Sequence, residues 1–494
     1  MLIVLLIFLF FFYHLYWKRL NWPNGPTPLP IVGNLLEVMF NEPGEKVYAK
    51  WNKKFGGVFT FYLGDEPVIM ITDPKKMVEM FVRDADSYSS RSIYRERYGE
   101  YMKLARGGCR GITFGDGESW KELRTFAQQT FKQLGMGTNL MQEIIFLDLC
   151  DTFEKLDNSA PNLCQQIDLT ITSIICNLCY GRRVTKESER EFRMLLKETN
   201  RAMRLFAHPA NLFLQRNPEV FKHLPYFSGH LKASAEAIGY VNQWMKKQIL
   251  MKEEKLQDIL PEDIVVTDFL SAFIKQRGTS ERKEIYNDKE FVSLAGDLWF
   301  AGQDTSSETI KWAVAYLIHN PQIQLKAQQE VDSNIGSNRL ISLDDKRNLP
   351  YCWALTNEAH RIANILPLNL LHSTTRDVQI NGHMVKKGTA IVPQISASLI
   401  DPTVFDCPES FNPDRFVKKK IGEFFPFGLG KRSCMGESLG RSMVFLILIN
   451  LLNRYTITPG TSGPPSLKRR AGLTCHCDEF DCCLEKRLHI SRGD

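Results

Sequence analysis

The 494-residue chain predicts a mainly α-helical fold with small β-sheets, built as one large domain. Three observations carry that expectation. Helical periodicity of apolar residues dominates from about residue 74 onward. Strand-like runs are short and confined to residues 58–72, 372–395 and 454–490. No Pro/Gly/Ser-rich linker divides the chain after residue 40, although its length alone suits about three domains.

The composition, 44% hydrophobic and 24% charged, excludes collagen, disorder and coiled coil. Lys and Arg number 62 against 56 Asp and Glu, a net charge of +6. That is mild for the length and argues against a nucleic-acid binder, which concentrates a basic stripe. Twelve cysteines at irregular spacing read as reduced thiols.

Met1 to Trp17 carries no Lys, Arg, Asp or Glu and is followed by Lys18–Arg19. It lacks a basic start and a small-residue cleavage site. Residues 1–17 are therefore expected to be an uncleaved membrane anchor, with Lys18 and Arg19 on the cytosolic side. Residues 18–40 form the basic stop and a hinge, in which Pro23, Pro26, Pro28 and Pro30 predict a stiff, extended connector. The body, 41–494, follows.

In the body, 58–63 and 67–72 predict a hairpin, and Asp73–Pro74 opens a helix. Helices are expected around 117–133, 140–157, 166–180, 187–205, 230–253 and 263–277. A long apolar one covers 288–320, then 321–335, 350–363 and, last, 434–453. Residues 372–395 alternate with the turns INGH and KKGT like short strands.

The chemistry concentrates in Phe427 to Gly436, FGLGKRSCMG, which fits F-x-x-G-x-R-x-C-x-G through Phe427, Gly430, Arg432, Cys434 and Gly436. A cysteine thiolate can be the axial ligand of a haem iron, where it donates electron density and favours O–O cleavage. Glycines let the backbone approach the macrocycle and aim amides at the sulfur. Arg432 can pair with a propionate. The helical run that follows puts Cys434 at a helix N-terminus, where the dipole favours thiolate.

Three further patterns agree. Glu358 and Arg361, at i and i+3, share a helix face. Ala301-Gly302-Gln303-Asp304-Thr305-Ser306 sits inside the long helix, where a glycine weakens the ladder and a threonine hydroxyl can bond its own helix carbonyl. Oxygen activation consumes protons, and an acid beside an alcohol is the minimum relay, so Asp304 is the expected acid and Thr305 the alcohol. Trp120 and Arg124, at i and i+4, share a face and can reach one propionate.

On these motifs the chain resembles the cytochrome P-450 family, of the microsomal family-2-like type, over essentially its whole length. The resemblance implies haem b between the long distal helix and the helix after the cysteine loop, with Cys434 as iron ligand. It implies that Arg415, in FNPDRF, closes a structural triad with Glu358 and Arg361. Arg91 and His372 fall where relatives place propionate contacts, although Leu371 stands where a proline often precedes that histidine. A pocket wall is implied at Ile112, Phe114, Leu298, Ala301, Leu366, Leu368 and Leu370, with the 200–225 region. This mostly apolar lining suits lipophilic small molecules: xenobiotics, fatty acids or steroids.

The implied activity is monooxygenation: one atom of O2 enters the substrate and the other becomes water. Electrons would come from NADPH through a membrane-bound NADPH–cytochrome reductase, with cytochrome b5 as a second candidate partner, on the cytosolic face of the endoplasmic reticulum. Lys418–Lys419–Lys420, Lys431 and Lys121 offer a complementary basic patch. A haem-thiolate isomerase or dehydratase, and a haem sensor or carrier, are the competing readings; the Asp304–Thr305 pair favours the monooxygenase over the first. Cys475, Cys477, Cys482 and Cys483, around His476, are expected as reduced thiols near chain-end strands, because their spacing does not suit zinc.

Overall fold

The computed structural model describes residues 1–488 except 42, 160–161, 337–338, 419 and 471. Short polar side chains set where several major helices start. Helix α1 (Leu2–Leu15) is followed, among others, by α2 (Gly117–Gln133), and then by α3 (Leu163–Tyr180). Asn162 opens α3 by accepting the Gln165 amide at 3.1 Å, and Gly181, in the left-handed region, closes it. Helices α4 (Glu189–Phe206) and α5 (Pro225–Leu256) pack along each other.

Helix α6 (Phe269–Thr279) begins six residues later than its sequence periodicity suggests. Asp268 and Ser271 form a reciprocal capping box that fixes the start, and Pro261–Asp263 turns off separately as a short 3-10 helix. Asn287 caps α7 (Asp288–His319), an unbroken helix through the middle of the molecule. Helix α8 (Pro350–Ala363) has proline in its first turn and ends at Asn364, whose φ of 42° is left-handed. Helix α9 (Glu437–Arg454) is buried along nearly all its length.

Strands β1 (Val58–Leu63) and β2 (Glu66–Ile71) form the expected hairpin. Of the later strands, β3 (His372–Ser373), β4 (Val378–Ile380), β5 (His383–Val385) and β6 (Ala390–Pro393) come from the 372–395 region. The four-stranded sheet runs β1-β2-β6-β3, parallel only between β2 and β6, and His372 stands opposite Ile391. Asn381 and Gly382, both at positive φ, make the two-residue turn between β4 and β5. The end of the described chain pairs β7 (Tyr455–Pro459) with β8 (Cys482–Lys486).

The largest apolar cluster surrounds α7 and draws on α3, α5, α8 and α9. Trp299 and Trp312 of α7 are fully buried and both satisfy their indole N–H. Trp299 donates to Thr199 Oγ1 at 2.9 Å, and Trp312 to the Cys475 carbonyl at 3.0 Å. The second contact ties α7 to the chain end.

No residue of α1 is buried, and Leu2–Arg19 is long and apolar enough to cross a membrane by length and composition. The proline segment after it runs without helix or turn over residues 23–28 and docks against the body. Pro23, Gly25, Pro26 and Pro28 are buried, and Asn34 brackets Tyr62, its amide donating to the Tyr62 carbonyl and its Oδ1 accepting the Tyr62 amide, both at 2.9 Å. A Cβ at Gly25 would lie 1.8 Å from the Thr60 carbonyl oxygen. Strand β1 is the edge of its sheet, and this segment supplies hydrogen-bond partners to that edge.

Trp312→Ala should cost about 3–5 kcal/mol, the range for truncating a buried tryptophan. Chemical unfolding of the detergent-solubilised full chain would measure it.

Candidate active site

A cavity of about 470 Å³ lies between α7 and the loop before α9. Cys434 faces it from below. Its amide donates to the Phe427 carbonyl at 2.8 Å, which curls the loop back on itself. The sulfur is exposed on the cavity side and enclosed by protein elsewhere. Enclosure pushes the thiol up from its ordinary value, while the Gly436 amide, donating to it, and the nearby Arg124 pull the other way.

The structure revises two sequence expectations about this loop. Helix α9 starts at Glu437, so Cys434 precedes it by three residues and is not its first turn. The intervening Cys434–Gly436 turn is what brings an amide to the sulfur. Gly430 does not face the cavity. Its φ is +71°, and a Cβ there would sit 1.8 Å from the Phe81 carbonyl oxygen, so it permits packing against the segment before the Arg91 loop. Within the loop Phe427–Gly436, Gly428 and Gly436 line the cavity. Phe427 also lines it, with its ring edge-on to His360 at 4.9 Å.

Arg91, Arg124, His372 and Arg432 gather at one side of the cavity. Arg124 donates to the Ser433 carbonyl at 2.6 Å. Arg432 pairs with Asp116 at 3.0 Å and stacks 3.5 Å over Trp120. Burial, with Arg91 and Arg124 close by, still lowers Arg432 to about 8. Arg91 donates to the Thr113 carbonyl, but its Nε has no partner, and neither does the buried Trp120 Nε1. Crowded cations and two orphaned buried donors fit a doubly carboxylated group. Together with a cavity-facing thiol, this donor set fits haem.

His372 sits in β3, and its Nδ1 donates to the Tyr88 carbonyl at 2.8 Å. Burial and the neighbouring Arg91 lower it to about 3, so the ring is neutral. That bond ties β3 to the Tyr88 segment, 284 residues earlier in the chain.

Behind the cysteine loop, Glu358, Arg361 and Arg415 meet. Arg361 forks onto Glu358 at 2.7 and 2.8 Å, and Arg415 reaches the same carboxylate at 3.2 Å. Arg361 also donates to the Leu399 carbonyl at 3.0 Å.

Above the cavity, Thr305 Oγ1 donates to the Ala301 carbonyl at 2.6 Å and lines the space. Asp304, in contrast, is buried away from it. Its carboxylate accepts from Thr474 and faces His476. Ile112, Phe114, Leu298, Ala301, Leu366 and Leu370 line the cavity. Leu368 does not: the chain at Pro367–Asn369 turns its side chain into a second apolar cluster with Phe114 and Leu371. Among the described residues of the 200–225 region, Ala202, Met203 and Phe206 reach the wall. Sequence reading missed Ile175 of α3 and Leu473–Thr474 near the chain end. Their contacts are non-local, and no motif marks them.

On the proximal surface, Lys121 pairs with Glu118 at 2.6 Å and Lys431 with Asp86. Lys418 ends a short helix, and Lys420 lies beyond it; Lys419 lies outside the described residues. All twelve cysteines are free, and Cys482 and Cys483 open β8.

A helical body with small sheets and a cysteine loop under a long helix is the architecture of a haem-thiolate enzyme. A family model described as cytochrome P450 matches residues 23–484. The chain is 30% identical to cytochrome P450 2J5 of Mus musculus, covering 95% of this chain and 92% of that one. It is 31% identical to cytochrome P450 2B2 of Rattus norvegicus over 89% of each, and 29% to cytochrome P450 2C3 of Oryctolagus cuniculus over 90% of each. The chain belongs to the cytochrome P450 family and is a haem-thiolate monooxygenase that uses O2 and a redox partner.

Glu358→Gln leaves two buried guanidiniums short of charge compensation and should cost about 3–5 kcal/mol. The readouts are the unfolding midpoint and the fraction of purified protein that retains haem.

Proposed function

We propose that the enzyme oxidises lipophilic small molecules at this cavity, on a haem ligated by Cys434, with electrons from NADPH through a membrane-bound reductase. The cavity-facing thiol under α7 carries the reading. When bound, a thiolate-ligated haem supplies the oxygen-activating and oxygen-inserting chemistry. The protein does the rest. Trp120, Arg91, Arg124 and Arg432 would hold the propionates, with His372 beside them. The Gly436 amide and Arg124 stabilise charge on the sulfur. The apolar wall of Ile112, Phe114, Leu298, Ala301, Leu366 and Leu370 strips water from the substrate and orients it. Thr305 holds a hydroxyl over the cavity, with Asp304 behind it as the proton source.

The exposed apolar α1 supports an anchor in a membrane, that of the endoplasmic reticulum, with the body on the cytosolic side. Lys121, Lys418, Lys420 and Lys431 support docking of an acidic redox partner, the NADPH–cytochrome reductase first and cytochrome b5 second. Two of these lysines already pair with local carboxylates, so the patch acts through the long-range field more than through free contacts.

The reduced carbon-monoxide adduct should show the red-shifted Soret band of thiolate ligation and lose it in Cys434→Ala; a variant that kept the band would remove Cys434 from the role. Association with the reductase should slow steeply with added salt, and salt-independent stopped-flow rates would remove the basic patch from docking.

A further inference from the structure

Asp304 has no direct opening to the cavity, although the activity needs protons there. Its buried carboxylate is reached through the loop before β8, 170 residues along the chain. Thr474 Oγ1 donates to Asp304 Oδ2 and lies 3.0 Å from His476 Nε2. A hydroxyl has one proton. Since that proton goes to the carboxylate, the oxygen accepts from His476 Nε2–H. Thr474 also lines the cavity, whereas Asp304 and His476 do not. The His476 side chain keeps 30% of its surface exposed, against 4% for Asp304. One side chain therefore touches both the outside and the buried acid.

From these contacts we infer that His476 and Thr474 form a proton inlet that reloads Asp304, the acid behind Thr305, from solvent. This rests on the monooxygenase reading above. The step balances. The His476 Nε2–H bond breaks as a new O–H bond forms at Thr474, and the original Thr474 O–H breaks as Asp304 Oδ2 gains its proton. The vacated Nε2 is refilled from solvent. Both residues act through Asp304, so they are positioning residues.

The surroundings suit a single mobile proton. Facing the imidazole from α7 are Asp304 and Glu308, with Lys311 one turn on, and Asp168 of α3 closes the group. His476 Nδ1 lies 3.5 Å from Glu308 Oε1, and the Cys477 amide donates to Glu308 Oε2 at 2.8 Å. On its own loop the neighbours are the Cys475 and Cys477 thiols and Asp478, which pairs with Arg470. Three carboxylates against Lys311 and a charged His476 leave one negative charge, which one proton neutralises. Burial opposes charge on the imidazole, but the bond to Glu308 and the charge of Asp304 raise it overall. Burial raises Asp304, and His476 opposes that. Burial works against the Glu308 carboxylate, yet Lys311 and His476 hold it at about 2, so it stays an anion. The mobile proton is thus confined to His476 and Asp304. Asp304, Glu308 and His476 also lie close enough to hold a cation, but Lys311, 3.0 Å from Glu308, already supplies that charge.

The test uses haem-loaded full-length protein in two arms. In the resting enzyme, pH-difference infrared spectra with labelled aspartate, assigned by Asp304→Asn, should show the Asp304 carboxyl titrating together with His476. In His476→Gln that titration should move to higher pH. With reductase, NADPH and O2, Thr474→Val and His476→Gln should raise the peroxide share of oxygen consumed by about threefold or more, a modest part of what positioned proton transfer supplies. Thr474→Ser keeps the hydroxyl and should match the parent. An unmoved Asp304 band in His476→Gln overturns the inlet. So does a normal peroxide share in Thr474→Val, or a Thr474→Ser variant that leaks as much as the valine. If the parent lacks the thiolate carbon-monoxide band or consumes no NADPH, the monooxygenase reading fails instead, and the infrared arm still decides whether the two side chains exchange a proton.

Discussion

Glu358 has no accessible surface, and two guanidiniums and the Asn412 amide converge on its carboxylate. An ion in that position is expensive to bury, and only saturated partners make it tolerable. The partners come from α8 and from the stretch around residues 399–415. The carboxylate thus pins a long irregular segment to a helix. That segment leads into the loop carrying Phe427 and Cys434. The ion pair thus helps fix where the chain enters the loop that carries the thiol.

The same logic runs in reverse on the other side of the loop. Glu358 is one anion with an ample supply of cations, whereas Arg91, Arg124 and Arg432 are cations with Asp116 as the carboxylate that one of them pairs with. Such an excess is costly in a closed site and favourable once acidic oxygens arrive. Polypeptide stability is given up locally in return for affinity toward a dianion.

Much of this was legible in the sequence, for stateable reasons. Helix α2 was expected at 117–133 and α8 at 350–363, the bounds the structure has. Proline and asparagine punctuate α8 locally, and periodicity extends to the ends of both. Helix α6 was misplaced because a capping box outvoted an apolar run that began earlier. The motif spacing within FGLGKRSCMG places Phe427, Cys434 and Gly436 on the cavity, but does not tell that Gly430 serves Phe81 and Gly428 the cavity. The resemblance implies a wall at Leu366, Leu368 and Leu370 together, but the irregular chain at Pro367–Asn369 sends Leu368 to the second apolar cluster, which a family-level match does not resolve. Asp304 reads as an acid from its motif, but its partners Thr474 and His476 lie some 170 residues further along the chain and meet it only through tertiary packing.

The docked proline segment has a mechanical meaning. Arg19, just past the apolar helix, donates to the Gly25 carbonyl at 2.9 Å and to Thr27 at 3.0 Å, and Asn34 then joins the edge of β1. Few soft torsions remain between the helix and the sheet. Where that helix crosses a bilayer, the body would behave less like a weight on a string than like the head of a key. Tilting the shaft would turn the head with it.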